Sequence, residues 1–361
     1  MVEEVASPVV LFVPISGREG SGEYYRLLTL AKGLSQRCPD WSLQFVVNRS
    51  ARVERPAFIR VHELEGTPKR NPNRLSNLIQ QLRPQVVVFD STLRPWMLRA
   101  ARSVGARTVY VSWRPRTRRL GFARKHLRLL DEHWLVGDPG DLRLTFGERC
   151  RLMAAGSRTA IRFFSALMPL PDQQAADTLL RRLAPGADGY VFFCSGGGGT
   201  SVGGRPSSEI FQRAARLFHA RTGVPVVFVA GPLSSHRLSD QPGRLELRSV
   251  PSEVFVALVA RARLAVSGGG SMIQQVLSAR VPCVGVAAGG NDQPQRIENL
   301  AAQGRIVPAD ADDEGIASAV EALHADPDRQ ARILANGAER AYANGTPEAV
   351  DRLIALIPER P

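Results

Sequence analysis

Cysteine is scarce in this sequence, and long apolar runs are absent. The four cysteines among the 361 residues lie far apart, with no C-x-x-C pair and no Cys/His cluster, which excludes a zinc site of the usual spacing and a disulfide framework. Cys194 and Cys283 sit in apolar runs, so we expect inert core thiols. No apolar run approaches the about 18 residues of a membrane-spanning helix. The first residues are acidic where a signal peptide is basic, which predicts a cytoplasmic protein.

The charge is strongly asymmetric. Lys and Arg number 47 against 34 Asp and Glu, a net charge of +13, and residues 94–162 alone hold sixteen basic and five acidic residues. Such a field attracts phosphates or an anionic bilayer, and Trp113 and Phe122 within it would suit a peripheral contact with the membrane. The alternatives are an Arg-rich solvated surface and nucleic-acid binding, although no nucleic-acid module is recognisable.

Strand-like and helix-like segments alternate in both halves of the chain, which is typical of a parallel sheet covered by helices. A proline-rich connector begins at Met168. We therefore expect an α/β protein with two Rossmann-like domains, residues 1–167 and 168–361, that face each other across a cleft. Strands are predicted at residues 9–15, 43–47, 85–89, 108–111, 190–194, 226–230, 264–266 and 283–286.

A glycine-rich stretch follows the first predicted strand and opens a helix. Gly20 and Gly22 would let the backbone approach an anion at the helix start, or they are turn glycines only. Glu23 is a candidate general base, but the helix dipole also favours a carboxylate in the first turn. Arg26 is a candidate phosphate contact or a partner for Glu23, or it is a surface residue only. Asp90 ends a buried strand and would orient the acceptor or assist Glu23, unless it only caps a turn.

Three strand-to-helix junctions in the second half carry glycines or polar pairs. Residues 195–204 hold six glycines in ten positions, which suits an oxyanion or a flexible loop. Residues 266–275 repeat the arrangement, and parallel strands would aim both turns at one crevice. Residues 288–299 include Asp292 and Gln293, a pair that suits sugar hydroxyls or caps a helix. No G-x-x-x-x-G-K-[ST] motif is present, which disfavours a P-loop ATPase.

These motifs resemble those of GT-B-fold glycosyltransferases. Residues 20–31 resemble the G-x-G-H-x-x-R-x-x-x-L-A opening of the UDP-sugar hydrolase of pseudaminic acid synthesis. Residues 267–294 resemble the G-G-x-G-[ST]…G-V-P…D-Q-P donor-binding stretch of nucleotide-sugar transferases. The resemblance covers both halves and is to the group that contains this hydrolase and the peptidoglycan lipid-linked N-acetylglucosaminyltransferase.

The resemblance implies a site for a UDP- or dTDP-linked sugar donor in the second half and an acceptor site in the first. The residues implied to bind the donor are Gly196, Gly197, Thr200, Val250, Ser267, Gly269, Gly270, Ser271, Gln275, Asp292 and Gln293. Gly20, Gly22 and Arg26 are implied on the acceptor side, and Glu23 and Asp90 in catalysis. The last helix, about residues 347–356, is expected to pack back on the N-terminal domain.

Three positions depart from the family pattern. Glu23 stands where the relatives have a catalytic His, and Ser267 where many natural-product transferases have a phosphate-binding His. Gln275 stands where many have a ribose-binding Glu, and an amide holds a diol less strongly than a carboxylate does. Glu23 would still deprotonate a hydroxyl if its surroundings raised its pKa; otherwise the chain would be a degenerate binding member.

The implied reaction is one in-line displacement at the anomeric carbon, with inversion. Glu23 would take the acceptor proton, and the glycine turns would stabilise the departing nucleoside diphosphate. No metal or other cofactor is expected, because the D-x-D-like string at residues 310–313 is typical of a surface turn and helix start. The expected partners are a nucleotide sugar and a lipid-linked or phosphorylated acceptor. The alternatives are a nucleotide-sugar hydrolase or epimerase and a non-catalytic sugar-nucleotide sensor.

Overall fold

The computed structural model describes residues 7–15, 22–51, 53–183, 189–270, 272–338 and 342–357. It divides into two compact units, one formed by Met1–Met168 with Ala343–Pro361 and the other by Pro169–Tyr342. We call these unit 1 and unit 2. Among the described residues, no helix combines the length and the apolar character needed to cross a membrane.

The strands, numbered along the chain, are β1 (Val9–Pro14), β2 (Ser42–Asn48), β3 (Ile59–Leu64), β4 (Val86–Asp90), β5 (Arg107–Ser112), β6 (Glu132–Val136), β7 (Ala160–Phe164), β8 (Val191–Cys194), β9 (Ser201–Val202), β10 (Arg205–Pro206), β11 (Val226–Val229), β12 (Arg244–Leu247), β13 (Leu264–Gly268), β14 (Cys283–Val286) and β15 (Val307–Ala309). The helices are α1 (Gly22–Arg37), α2 (Pro72–Leu82), α3 (Pro95–Ser103), α4 (Pro115–Gly121), α5 (Arg124–Leu127), α6 (Phe146–Ala155), α7 (Gln173–Leu180), α8 (Ser207–Thr222), α9 (Ser252–Ala260), α10 (Met272–Ser278), α11 (Gln293–Ala302), α12 (Asp313–His324), α13 (Pro327–Ala338) and α14 (Thr346–Ala355).

Unit 1 is built on a seven-stranded parallel sheet with the order β3-β2-β1-β4-β5-β6-β7. Its central strands are near-continuous runs of Val, Phe and Leu because helices cover both faces. α1 and α14 pack on one face, and α2 and α3 pack on the other. The carboxyl ends of β1, β4 and β5 lie side by side, since Asp90 pairs with Pro14 and with Val111.

The last helix of the chain, α14, closes the core of unit 1 over α1. Val350 is buried, and a Cβ added to Gly33 of α1 would come within 2.7 Å of its Cγ2 atom, so the two helices are in close contact. The guanidinium of Arg352 donates to the buried carboxylate of Glu132 on β6 at 2.6 Å, and the Trp134 indole donates to the same carboxylate at 2.8 Å. The pairing explains how β6 carries an acid inside the core.

Unit 2 is built on a six-stranded parallel sheet with the order β12-β11-β8-β13-β14-β15. α7, α9 and α10 pack on one face, and α8 and α12 on the other. A two-residue antiparallel hairpin, β9–β10, interrupts the loop between β8 and α8. Two of the six glycines in that loop, Gly203 and Gly204, form the hairpin turn with φ values of 55° and 79°.

The sequence pattern missed β3, β6, β7, β12 and β15, as well as the small hairpin. Both predicted core thiols are confirmed as buried, and burial raises the pKa of Cys194 and of Cys283 to about 12. Phe122, by contrast, is fully buried in unit 1. It therefore does not offer the lipid contact that its place in the basic segment predicted.

Candidate functional site

An ion pair at the carboxyl end of β4 is the most buried charged feature of the candidate residues in unit 1. Asp90 is fully buried and accepts two hydrogen bonds from Arg26 of α1, Nε at 2.8 Å and Nη2 at 2.9 Å. The Ser91 hydroxyl donates to the same carboxylate at 2.9 Å. Arg26 therefore holds Asp90, where the sequence left phosphate or Glu23 as its partners. The bidentate geometry fixes both side chains.

Glu23 lies in the first turn of α1, half-buried beside this pair. Burial raises the pKa of Glu23 above its ordinary value of 4.5, and the negative charge of Asp90 raises it further. The charges of Arg26 and Arg114 oppose the rise. A carboxyl of this kind ionises closer to neutral pH than a solvated one, as a general base requires. Gly22 is exposed at the start of α1, whereas Gly20 lies outside the described residues.

Trp113 and Arg114, the first two residues after β5, complete this cluster. The sequence did not predict either of them as a site residue. The guanidinium carbons of Arg26 and of Arg114 each lie 5.9 Å from the centroid of the Trp113 ring. Trp113 is half-buried and Arg114 is exposed. Their position immediately after a buried parallel strand was the signal available in the sequence.

In unit 2, the turns after β8 and β13 touch each other. The two strands are neighbours in the sheet, with Cys194 opposite Ser267. A Cβ added to Gly268 would lie 2.5 Å from the Ser195 carbonyl oxygen, so glycine is required for this approach. The sequence predicted two glycine turns at one edge of the sheet, and the strand order brings them together there.

The turn after β8 presents glycine backbone to its surroundings. Gly197 is exposed, and a Cβ added to Gly196 or to Gly197 would meet nothing within 4 Å. Behind the turn, Gly231 has φ of 95° and sits so close that a Cβ would lie 2.4 Å from the Gly196 carbonyl oxygen. The Thr200 hydroxyl forms a hydrogen bond of 2.7 Å with the Ser207 hydroxyl.

The turn after β13 is less open. Ser267 is fully buried, and its hydroxyl donates to the Gly268 carbonyl at 3.0 Å, so in this structure the hydroxyl faces the protein. Gly269 is buried and donates its N–H to Val286 at 2.7 Å, and Gly270 is half-buried. Ser271 lies outside the described residues.

Asp292 and Gln293 lie beside this turn, each held by a specific contact. The Gln293 side-chain oxygen accepts from the Ala288 N–H at 3.0 Å. The carboxylate of Asp292 is paired with Arg296 at 2.7 Å, and Arg296 also donates to the Gly269 carbonyl. Asp292 is the N-cap residue of α11, but its side chain makes no capping hydrogen bond, so the capping alternative does not account for its side chain. Arg296 was missed, although its spacing from Asp292 was readable.

The two remaining donor-site candidates are partly buried. Gln275 lies on α10, and its side-chain oxygen is buried with no hydrogen-bond partner. Val250 follows the end of β12 and packs against the core of unit 2. The string at residues 310–313 is a turn and helix start as predicted, because Asp312 caps α12 by accepting from the Gly315 N–H at 2.7 Å. No group of His, Cys, Asp and Glu able to hold a metal occurs among the residues that the structure describes.

Comparison with known proteins gives a fold and no closer relationship. No protein-family model and no curated protein matches the sequence. A glycotransferase of kitacinnamycin matches in structure with a TM-score of 0.61 at 17% identity, over 98% of this chain and 100% of that one. Phytolacca americana UGT2, solved with UDP-2-fluoro-glucose and pterostilbene, gives 0.64 at 12% identity over 97% and 99%. A Listeria monocytogenes protein described as a UDP-N-acetylglucosamine 2-epimerase gives 0.54 at 12% over 97% and 95%.

The chain has the GT-B fold. The match extends over nearly the whole of both units, and the two parallel sheets of seven and six strands fit it. The two Rossmann-like domains predicted from the alternation of strands and helices, and the GT-B fold that the resemblance implied, are thereby confirmed.

Proposed function

We propose that this protein is a glycosyltransferase that moves a sugar from a nucleotide-sugar donor to a hydroxyl acceptor. The observation that carries the proposal is the contact between the glycine turns after β8 and β13 at the carboxyl edge of one parallel sheet. Backbone N–H groups gathered at such an edge favour a diphosphate. The glycosyltransferases of the same fold support this choice of reaction class.

The donor site that we propose lies in unit 2. The turns at residues 195–200 and 267–271 hold the diphosphate of a UDP- or dTDP-linked sugar. Asp292 and Gln293 contact the sugar hydroxyls, since a carboxylate accepts hydrogen bonds and an amide both donates and accepts. Gln275 is the candidate for the ribose and Val250 for the base.

The chemistry that we propose is displacement with inversion and without metal. The Glu23 carboxylate takes the proton of the acceptor hydroxyl, and the acceptor oxygen bonds to the anomeric carbon as the bond from that carbon to the phosphate oxygen breaks. The nucleoside diphosphate leaves with the electron pair and is stabilised by the glycine turns. The raised pKa of Glu23 supports the role of base.

The charge of Arg114 favours an anionic acceptor. It is exposed over the Trp113 ring, and its charge acts on Glu23. An acceptor that carries phosphate or another anion near its reacting hydroxyl would be favoured there, in line with a phosphorylated or lipid-linked acceptor. We keep the relationship to the peptidoglycan N-acetylglucosaminyltransferase and pseudaminic-acid hydrolase group as part of the proposal.

A nucleotide-sugar epimerase or hydrolase is the second candidate. It is favoured by the Listeria monocytogenes structure of the same fold. Such an enzyme would release the free sugar or its epimer from the donor with no acceptor present. Product analysis of donor incubated alone separates this candidate from a transferase.

Calorimetric titration with UDP, UDP-glucose, UDP-N-acetylglucosamine and dTDP-glucose tests the donor site. We expect one of these ligands to bind and to raise the melting temperature by mass action. Gly197→Asp should abolish binding without unfolding the protein, because the position is exposed and open, and a carboxylate there repels a diphosphate. Gly337→Asp, at an equally open glycine of α13, is the matched control and should bind as the wild type does. Absence of heat with all four ligands would contradict the proposal.

We place the protein in the cytoplasm, with its basic segment against the anionic inner face of the membrane. The net charge of +11 over residues 94–162 supports this contact. Because Phe122 is buried, apolar contact with lipid requires other side chains.

A further inference from the structure

Among the described residues, the two large apolar side chains with the highest exposure lie on one short helix. Phe146 is 83% exposed and Met153 is 74% exposed, both on α6 of unit 1. The remaining large exposed apolar residues range from 37% to 61%. Apolar side chains that are exposed next to one another on a surface rimmed by polar residues mark an interaction site.

These two side chains lie on the same face of α6. Met153 follows Phe146 by seven positions, or two helical turns, and Cys150 lies between them at the fourth position. The opposite face of the helix carries Leu152 and Ala155, which pack on the small cluster that covers β6. The outer face of α6 is therefore an apolar strip, which we define as Phe146, Cys150 and Met153.

Exposed guanidinium groups lie on the same helix as the apolar strip. Arg149 borders the strip, four positions before Met153, and Arg151 lies further around the helix; both are exposed. Residues 143–158 contain four Arg and one Glu, a net charge of +3, and the single acid, Glu148, is buried. The surface around the strip is thus basic with no exposed acid of its own in that segment.

The strip is presented by a rigid support. Arg118 of α4 donates to both carboxylate oxygens of Glu148, at 2.7 and 2.8 Å, and to the Asp141 carbonyl at 2.8 Å. Thr145 caps the helix by accepting from the Glu148 N–H at 3.2 Å. Phe146 is thereby fixed in an outward position at the first residue of α6.

We propose that the apolar strip of α6 inserts into the headgroup region of an anionic bilayer while Arg149 and Arg151 bind lipid phosphates. Aromatic and other apolar side chains on a basic surface are the kind that enter the membrane interface. A second copy of this chain would bring two basic surfaces together, so charge disfavours a homodimer at this face. This inference deepens the membrane contact proposed above.

Flotation with vesicles tests this surface without any sugar donor, so its result is separate from that of the donor titration. The wild-type protein should float at low salt with vesicles of phosphatidylcholine and phosphatidylglycerol, and should be released by high salt. The double variant Phe146→Ser/Met153→Ser should lose about tenfold or more in bound fraction. Its melting temperature should not fall, because both side chains are exposed.

Two further variants locate the surface. Arg149→Gln/Arg151→Gln should weaken flotation and reduce its dependence on salt. Leu334→Ser/Arg329→Gln, on α13 of unit 2, makes the same kinds of change at another exposed helix, where Leu334 is 39% exposed, and should float as the wild type does. A wild-type protein that stays unbound at low salt, or a Phe146→Ser/Met153→Ser variant that floats undiminished, would overturn the proposal. The first result would point to an acidic protein as the partner of this surface.

Discussion

Glu23 is the residue on which the proposed chemistry depends, and its surroundings set the pH at which it ionises. Glu23→Gln should lower the transfer rate by about 100-fold to 10,000-fold, the usual contribution of a general base, while donor binding is retained. In the wild type, a base must be deprotonated, so the rate should rise with pH through a pKa above 4.5. The pH profile of kcat/KM measures this pKa, and an acid limb at or below the ordinary value would exclude Glu23 as the base.

The stability of the Glu23→Gln variant gives an independent check that the pKa of Glu23 is raised and not lowered in the folded protein. The pKa of Glu23 is raised in the folded protein, so its contribution to stability is greatest below the ordinary pKa and declines as pH rises through the folded one. Glu23→Gln should therefore be no less stable than the wild type at neutral pH.

Arg114→Gln should move the acid limb of the kcat/KM profile to higher pH, because the charge of Arg114 lowers the pKa of Glu23. Arg116→Gln, two positions further on and exposed, is its control.

Gly121 has to be glycine because the ring of His133 leaves no room for a side chain. A Cβ at this position would lie 2.2 Å from the Cε1 atom of His133. That imidazole is fully buried and bonded to the Ser112 hydroxyl at 2.8 Å, and burial lowers its pKa to about 3. Gly121→Ala should destabilise the protein by about 1–3 kcal/mol through overpacking, measured by urea unfolding. Gly147→Ala, in open space on α6, should instead stabilise by about 0.5–1 kcal/mol.

The sequence predicted where glycine turns follow two strands of unit 2, but it did not predict the partners of the polar candidates. The turns after β8 and β13 were recognised because runs of glycine follow apolar strand patterns there. The bond between Arg26 and Asp90 was not, since the two residues are 64 positions apart and either had nearer partners. By contrast, the bond between Asp292 and Arg296 joins residues four positions apart on α11, so the sequence did contain the signal for it.

Among the elements, burial explains which strands were predicted and which were missed. β1, β4, β8 and β13 are central strands covered on both faces, so apolar residues run through them without a break. β3, β7, β12 and β15 lie at sheet edges, where polar residues alternate irregularly with apolar ones. β6 is internal but opens with Glu132 and His133, which are buried only because Arg352 and Ser112 bind them. No local pattern announces partners that are so distant in sequence.

The bond between Arg352 and Glu132 tests how α14 is fixed to unit 1. Arg352→Met leaves the carboxylate of Glu132, 2% exposed, without its cation, and should cost about 3–5 kcal/mol. Arg37→Gln breaks the ion pair that Arg37 of α1 makes with Asp351 of α14, but these side chains are 52% and 59% exposed, so the loss should stay below about 1 kcal/mol. Urea unfolding measures both. Adding Glu132→Gln to Arg352→Met should recover part of the loss, and equal effects of the two single variants would contradict this assignment.

At the scale of the whole molecule, unit 2 is formed by one continuous segment of the chain, whereas unit 1 is formed by two separate segments. Unit 2 is the continuous segment Pro169–Tyr342 with its own apolar core on each face of its sheet. Residues 169–342 produced alone should unfold cooperatively in urea and bind the same nucleotide sugar as the full chain. Residues 1–168 produced alone should be unstable, because α14 is missing from their core. A molten 169–342 fragment, judged by its near-ultraviolet circular dichroism, would contradict this independence.

The return of α14 to unit 1 has a consequence for the order in which the protein is completed during translation. Most of unit 1 emerges from the ribosome before unit 2, yet the side of α1 that α14 covers stays exposed until α14 itself has been synthesised. Unit 2 is therefore completely synthesised before unit 1, although its synthesis begins later. For that interval the nascent chain exposes apolar surface around Gly33, the position that Val350 contacts in the folded protein, and we expect chaperone binding to be strongest then.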